Sequence, residues 1–353
     1  MPSLEPEPNR VFTLDKVVVI GGAGFIGQTI TRRLVDHGYD VTVVSRSAGS
    51  GSKLPGVQYS RGEVADAARM MQIIEGARYV YDLSMSLSTT WAGYERDYVG
   101  GARNVGAACL AHGVSRLIYT SSISAIYLGT GRPVNEQAGH DSKPLSRGFY
   151  GRGKIEAERV FLRLHAEKKL PVVITRPGLV VGPGGSLVHG ALGDPVSELF
   201  VLGFGPGTYP LPFVLVDDVA AALFAAKDAP GIDGMSFNLA GDVRPTAKEY
   251  IEEVRRRTLR NYRFIPRSVR TIGLDGRLRW AIKLLIGKTD NVCEPYRDYK
   301  SLEMSSPLDC SLAKEKLGWK PVSSRDEFFR QAIDSHLQPI YPGDLRLQET
   351  SRV

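Results

Sequence analysis

The chain is poor in cysteine. Its 353 residues include three, Cys109, Cys293 and Cys310, far apart and with no C-x-x-C pair. That spacing speaks against a disulfide framework or a zinc knot and for a reducing compartment. The six histidines are scattered and none belongs to H-E-x-x-H or a comparable ligand set, so no metal is expected. No uncharged apolar run reaches the ~18–20 residues of a spanning helix; the nearest, 211–226, is interrupted by Asp217 and Asp218. The first ten residues, rich in proline and glutamate, lack the apolar centre of a secretory leader. There is no internal repeat and no long low-complexity tract. Together these absences suggest a cytoplasmic protein. Acidic residues are also in deficit, giving a net charge of +7. Seven arginines between Arg255 and Arg270 account for much of the excess. No nucleic-acid module accompanies them, so no nucleic-acid partner is expected.

Against these absences, residues 17–27 read VVVIGGAGFIG. A β-branched run enters a glycine-rich turn, a helical stretch follows to His37, and Gly38 closes it. This is the strand–turn–helix context of a dinucleotide-binding unit. Gly21 or Gly22 allows the tight turn, Gly24 lets the backbone approach a pyrophosphate, and Gly27 lets helix and strand pack closely. Further strands are predicted at 40–46, 57–60, 79–83, 117–120 and 171–175, alternating with helices at 65–74, 95–112 and 149–170. That alternation predicts an α/β fold of Rossmann type, a doubly wound parallel sheet covered on both faces. Residues 1–14 are read as a disordered lead-in, 15–185 as the NAD(P)-binding domain and 341–353 as a tail. The stretch 186–340 is assigned mainly to a smaller C-terminal substrate-binding region, with 211–240 returning to the core. Helices are expected at 217–226, with Asp217 or Asp218 near its start, and at 248–257.

Tyr150 and Lys154 are four residues apart on a predicted helix and share a face. A lysine ammonium beside a phenol stabilises phenolate, which makes the tyrosine usable as an acid or base at an alcohol or ketone. Ser121 and Ser122 end a predicted strand upstream. Tyr-x-x-x-Lys alone arises often by chance, but the ordered set is more specific. Glycine turn, strand-end serine and Tyr-x-x-x-Lys together resemble the extended short-chain dehydrogenase/reductase superfamily. The likeness runs from about Lys16 to Ala332 and takes in TRPG at 175–178, VDDV at 216–219 and LGWKP at 317–321. These enzymes include nucleotide-sugar epimerases and dehydratases, 3β-hydroxysteroid dehydrogenases and dihydroflavonol reductases.

The resemblance implies that Tyr150 is the acid/base, and that Lys154 holds the nicotinamide ribose and depresses the Tyr150 pKa. Ser122, with Ser121 as the near alternative, would hydrogen-bond the reacting oxygen. Gly21, Gly24, Phe25, Ile26 and Gly27 would carry the pyrophosphate turn. Glu63 and Val64 would lie at the adenine, and Leu83, Ser84, Pro177 and Gly178 along the cofactor. Met85 and Ser124 would meet substrate. Tyr98 stands where the family's helix motif carries asparagine, an expected change near the cofactor or substrate. A homodimer through the helices at 95–112 and 149–170 is implied as well.

At the end of the second strand the sequence reads Ser45-Arg46-Ser47, with no carboxylate. A carboxylate there would repel a 2′-phosphate, whereas a guanidinium suits one, so NADP is favoured over NAD. The arginine cluster reads first as a solvated helix face, with a grip on a substrate diphosphate as the functional alternative. Segment 269–288 mixes basic and apolar residues; packing against the core is its first reading and an anionic bilayer surface its second. His189 is read as a loop histidine without a role, with a place facing substrate as the alternative. The expected activity is epimerisation or oxidoreduction at a hydroxyl or keto carbon, first of a nucleotide-activated sugar. A hydrophobic ketone or alcohol is the alternative substrate. A non-catalytic NADP sensor is the alternative of another class, although a sensor needs none of Tyr150, Lys154 and the serines.

Overall fold

A computed structural model describes residues 14–47, 53–196, 199–258, 260–286 and 293–337. All but one residue of the expected lead-in, and the whole expected tail, lie outside the described residues. The first half of the chain alternates strands and helices: β1 (Lys16–Ile20), α1 (Phe25–Asp36), β2 (Asp40–Ser45), β3 (Val57–Arg61), α2 (Ala67–Ile74) and β4 (Tyr79–Asp82). Next come α3 (Trp91–Tyr94), a π-turn (Glu95–Val99), α4 (Gly100–Ala111), β5 (Arg116–Thr120), α5 (Phe149–Lys168) and β6 (Val172–Pro177). Short strands follow: β7 (Leu179–Val181), β8 (Gly193–Val196), β9 (Phe200–Gly203) and β10 (Phe213–Leu215). Then come α6 (Val216–Ala226), β11 (Ser236–Leu239), α7 (Ala247–Thr258) and β12 (Arg263–Ile265). The last helices are α8 (Val269–Leu285), α9 (Tyr296–Leu302), α10 (Ser311–Leu317) and α11 (Arg325–Ala332).

Seven strands form one sheet in the order β3-β2-β1-β4-β5-β6-β11, every pair parallel. Alternation along β1 explains its unbroken apolar run. Val17 and Val19 join the core with Ile30 and Leu34 of α1 and Leu223 of α6. Val18 and Ile20 face the other way, into a core with Met70 of α2, Val105 of α4 and Phe161 of α5. Both faces are covered, so neither can be polar. The strand order reverses between β1 and β4, and the crevice outside their carboxyl ends is where this class of sheet binds ligands.

Two differences from the sequence reading have physical causes. The helix expected at 95–112 begins at Trp91 and passes through the π-turn, so that both Tyr94 and Tyr98 are buried. Segment 269–288, described as far as Ile286, does not pack its apolar side against the core there. Within α8 only Val269, Ile272 and Gly273 are buried, while Leu274, Leu278, Ile282 and Leu285 are exposed. Small residues decide this: Gly273 and Gly276 back onto Tyr296 and Tyr299, and that choice turns the leucines outward.

Candidate active site

The turn after β1 is built for close approach. Gly21 adopts φ +76°, its N–H donates to Val44 O at 2.8 Å, and a Cβ on it would lie 2.7 Å from Leu83 O. A Cβ on Gly27 would collide with Gly21 O. α1 starts at Gly24 with no side-chain cap and no acidic residue in its first turn. Its first amides therefore keep their capacity, and the dipole's positive end, for an anion.

These glycines border two adjoining cavities. The first, about 630 Å³, is lined by Gly21, Gly24, Ser45, Arg46, Glu63 and Val64, together with Leu83, Ser84 and Met85. Two polar groups fix its walls. Asp82 accepts from Ser84 N at 2.9 Å, and Asn104 Nδ2 donates to Val64 O and Ala65 O at 2.9 and 3.1 Å. The second, about 760 Å³, shares Gly21, Gly24, Leu83 and Met85 with the first. It adds Phe25, Ile26, Gly27, Ser121, Ser122, Ser124, Tyr150, Pro177 and Gly178. Of the residues singled out from the sequence, Lys154 lines neither, nor do Gly22 and Tyr98.

Lys154 lies beneath the floor instead. Its buried Nζ donates to Thr120 O at 2.9 Å and stands 5.2 Å from the ring centres of Tyr98 and Tyr119, and 5.9 Å from that of Tyr150. Burial lowers its pKa to about 8 against the pull of Asp82 and Glu158. Tyr98 and Tyr119 join hydroxyls at 2.8 Å, so the residue that departs from the family motif completes an aromatic cage around the ammonium. The expected depression of the Tyr150 phenol by Lys154 is not what this geometry gives. Burial raises that phenol, the Ser122 hydroxyl draws it down, and the Lys154 proton is engaged by Thr120 O.

The two strand-end serines differ. Ser122 Oγ accepts from Ser124 N at 3.1 Å and donates to Ser124 Oγ at 3.2 Å. Ser121 Oγ is buried without a hydrogen-bond partner, as is Thr120 Oγ1. His189 does line the second cavity, and its Nδ1 accepts from Ala191 N at 3.1 Å.

Two charged clusters beneath and beside the site had no sequence signal, because their members come from distant segments. Glu158, one turn beyond Lys154 on α5, accepts from Arg176 of β6 at 2.6–3.1 Å and pairs with His140 Nε2 at 2.7 Å. Burial alone would push this carboxyl up; His140 and Arg176 overcome it and hold it at about 2. In the second cluster Asp141 binds Arg147 at 2.9 Å and Arg297 at 2.6 Å, and Arg147 also pairs with Asp298. Asp298 accepts from Gly148 N as well, so α9 supplies the cap at the start of α5. Residues near that helix, Phe204, Leu302 and Met304, wall the second cavity.

The arginine cluster stays outside. Arg255 and Arg256 pair with Glu252 and Glu253, and Arg257 is held by Glu253, Asp326 and Asp334. None of the seven lines either cavity.

A parallel sheet with this strand order, a glycine turn at its switch point and a Tyr-x-x-x-Lys helix beside it are the architecture of the extended short-chain dehydrogenase/reductase class. The chain belongs to the NAD dependent epimerase/dehydratase family, which it matches over residues 17–240. It is 32% identical over 220 residues to a 2-alkyl-3-oxoalkanoate reductase of Stenotrophomonas maltophilia, covering 61% of this chain and 66% of the relative. It is 26% identical to a 3beta-hydroxysteroid-dehydrogenase/decarboxylase of Arabidopsis thaliana, covering 90% of this chain and 61% of that one. The chain thus spans just under two thirds of the length of both. A UDP-glucose 4-epimerase of Thermotoga maritima, solved with UDP-glucose, has the same fold, with a TM-score of 0.68 at 22% identity over 91% of this chain and 98% of its own.

Proposed function

We propose that the protein is an NAD(P)-dependent oxidoreductase interconverting a hydroxyl and a ketone on a largely apolar substrate. The lining of the second cavity carries this reading. Its described residues include no lysine, arginine or carboxylate, and Met85, Phe204, Leu302 and Met304 wall the space beyond Tyr150. The diphosphate of a nucleotide sugar needs a cation or an amide cradle of its own. The arginines offered by the sequence are paired with carboxylates or lie elsewhere, so the nucleotide sugar ranks second. The names of the reductase and steroid dehydrogenase relatives point the same way.

The residues fit a dinucleotide: uncapped amides at α1, and a turn packed so closely that a Cβ at Gly21 or Gly27 would strike backbone. A nicotinamide held there supplies or accepts the hydride. Tyr150 moves the proton at the substrate oxygen, and Ser122 hydrogen-bonds that oxygen. The caged Lys154 keeps positive charge beneath the floor of the site. Arg46, exposed at the rim of the first cavity with Ser45 and Ser47, favours the 2′-phosphate of NADP. Two copies pair through the outer sides of α4 and α5.

The test is NADPH-dependent reduction of a series of long-chain 3-ketones and 3-oxoacids beside UDP-sugar epimerisation, with Tyr150→Phe as control. Turnover that rises with apolar chain length and vanishes in the variant supports the proposal. Activity confined to UDP-sugars overturns it.

A further inference from the structure

One feature of the molecule takes no part in the site. α8 is 17 residues long, about 25 Å. Its apolar side chains are not where a soluble helix keeps them: Leu274 is 66% exposed, Leu278 62%, Ile282 49% and Leu285 86%. At about 100° per residue these four fall within about 80° of the helix circumference, opposite the side that Gly273 and Gly276 press on Tyr296 and Tyr299. Arg270 and Arg277 run along one edge of the stripe, and Arg279 stands beyond the other. The helix has one carboxylate, Asp275, paired with Arg279 at 3.0 Å.

The geometry points to α8 as an interfacial helix that docks the protein on an anionic lipid bilayer. The leucine and isoleucine stripe sinks into the acyl boundary, and the arginines beside it reach the headgroups. Charge selects this occupant over a second copy of the chain. Two copies laid stripe to stripe would bring the arginines of one against those of the other, while the one carboxylate of the helix is already paired with Arg279. Lipid phosphates answer them all. The helix also rests on α9, whose Leu302 lines the second cavity, so the docked face adjoins the wall of the substrate site.

The experiment is co-sedimentation of the full chain with vesicles of phosphatidylcholine alone and of phosphatidylcholine mixed with phosphatidylglycerol. The wild type is expected to bind the mixed vesicles at low salt, to bind pure phosphatidylcholine far less, and to be released by high salt. Leu278→Glu/Ile282→Glu and Arg270→Glu/Arg277→Glu are each expected to lower the partition coefficient about tenfold or more. All four side chains are exposed, and the melting temperature with bound NADPH reports whether the fold survives. Sedimentation equilibrium without lipid covers the rival occupant. Failure of the wild type to bind anionic vesicles, equal binding by folded variants, or self-association lost in the leucine variant without lipid binding would each overturn the proposal.

Discussion

Tyr150 has two neighbours that act on it differently. Ser122 draws its phenol down against burial, while Lys154 lies below it, 5.9 Å from the ring centre and bound to Thr120 O. Tyr150→Phe is expected to cut kcat by ~10²–10⁴ with NADPH affinity unchanged, read by steady-state kinetics beside a fluorescence titration. Lys154 makes a pH prediction. Its pKa of about 8 lies below the ordinary 10.5 because burial disfavours the ammonium. The charged form is therefore present at neutral pH and lost above about 8, so kcat/KM should fall there, and Lys154→Met should abolish that limb. The sign for stability is opposite. The fold favours neutral Lys154, so its burial opposes folding below about pH 8, and the penalty fades as pH rises toward 10.5. Arg46→Ala is expected to weaken NADPH binding ~10–100-fold and NADH little, by competitive titration. The Tyr150–Lys154 pair was legible because i and i+4 spacing survives any tertiary context. The Tyr98–Tyr119 cage was not, since its rings come from α4's approach and β5, and meet only when the helix covers the sheet.

α5 is the element on which the site rests. It carries Tyr150, Lys154 and Glu158 on one face, and its start and its middle are tied to other segments. At its start, Asp298 from α9 caps Gly148 and pairs with Arg147. Asp298→Ala is expected to raise KM and lower kcat together, because it frees both the helix start and the cavity wall. Rescue by Asp298→Asn should be partial, because it restores the cap but not the charge. Further along, Glu158→Gln leaves Arg176 buried without its counter-charge, a loss of ~3–5 kcal/mol measurable by urea unfolding at neutral pH. With Glu158 at about 2 in the fold against 4.5 ordinarily, that contribution is present above about pH 4.5 and lost as pH falls toward 2. The variant should lose correspondingly less stability across that window than the wild type. Periodicity located α5 to within two residues at its far end. It was silent about α9, a helix of seven residues too short for a periodic signal. The π-turn before α4 was also invisible, because one extra residue per turn breaks the period that announces a helix.

The whole molecule joins two cavities at one switch point, with the parallel sheet supplying the first and residues near α9 closing the second. The proposed pairing through α4 and α5 predicts a two-chain particle in sedimentation, and a monomer would rule it out. By itself the sequence determined the sheet and its covering helices. The central strand β1 is buried on both faces and must be apolar throughout, and glycines had to stand where backbone meets backbone. It pointed as well to the glycine turn, the strand-end serines and Tyr150 as candidates that the fold gathers around one crevice. Tertiary structure alone decided the rest. Ion pairs such as Asp141–Arg297 and Arg147–Asp298 join residues some 150 positions apart, and charge at that separation carries no sequence pattern. The same holds for the apolar stripe of α8, since residue types cannot say which side of a helix its neighbours will leave uncovered.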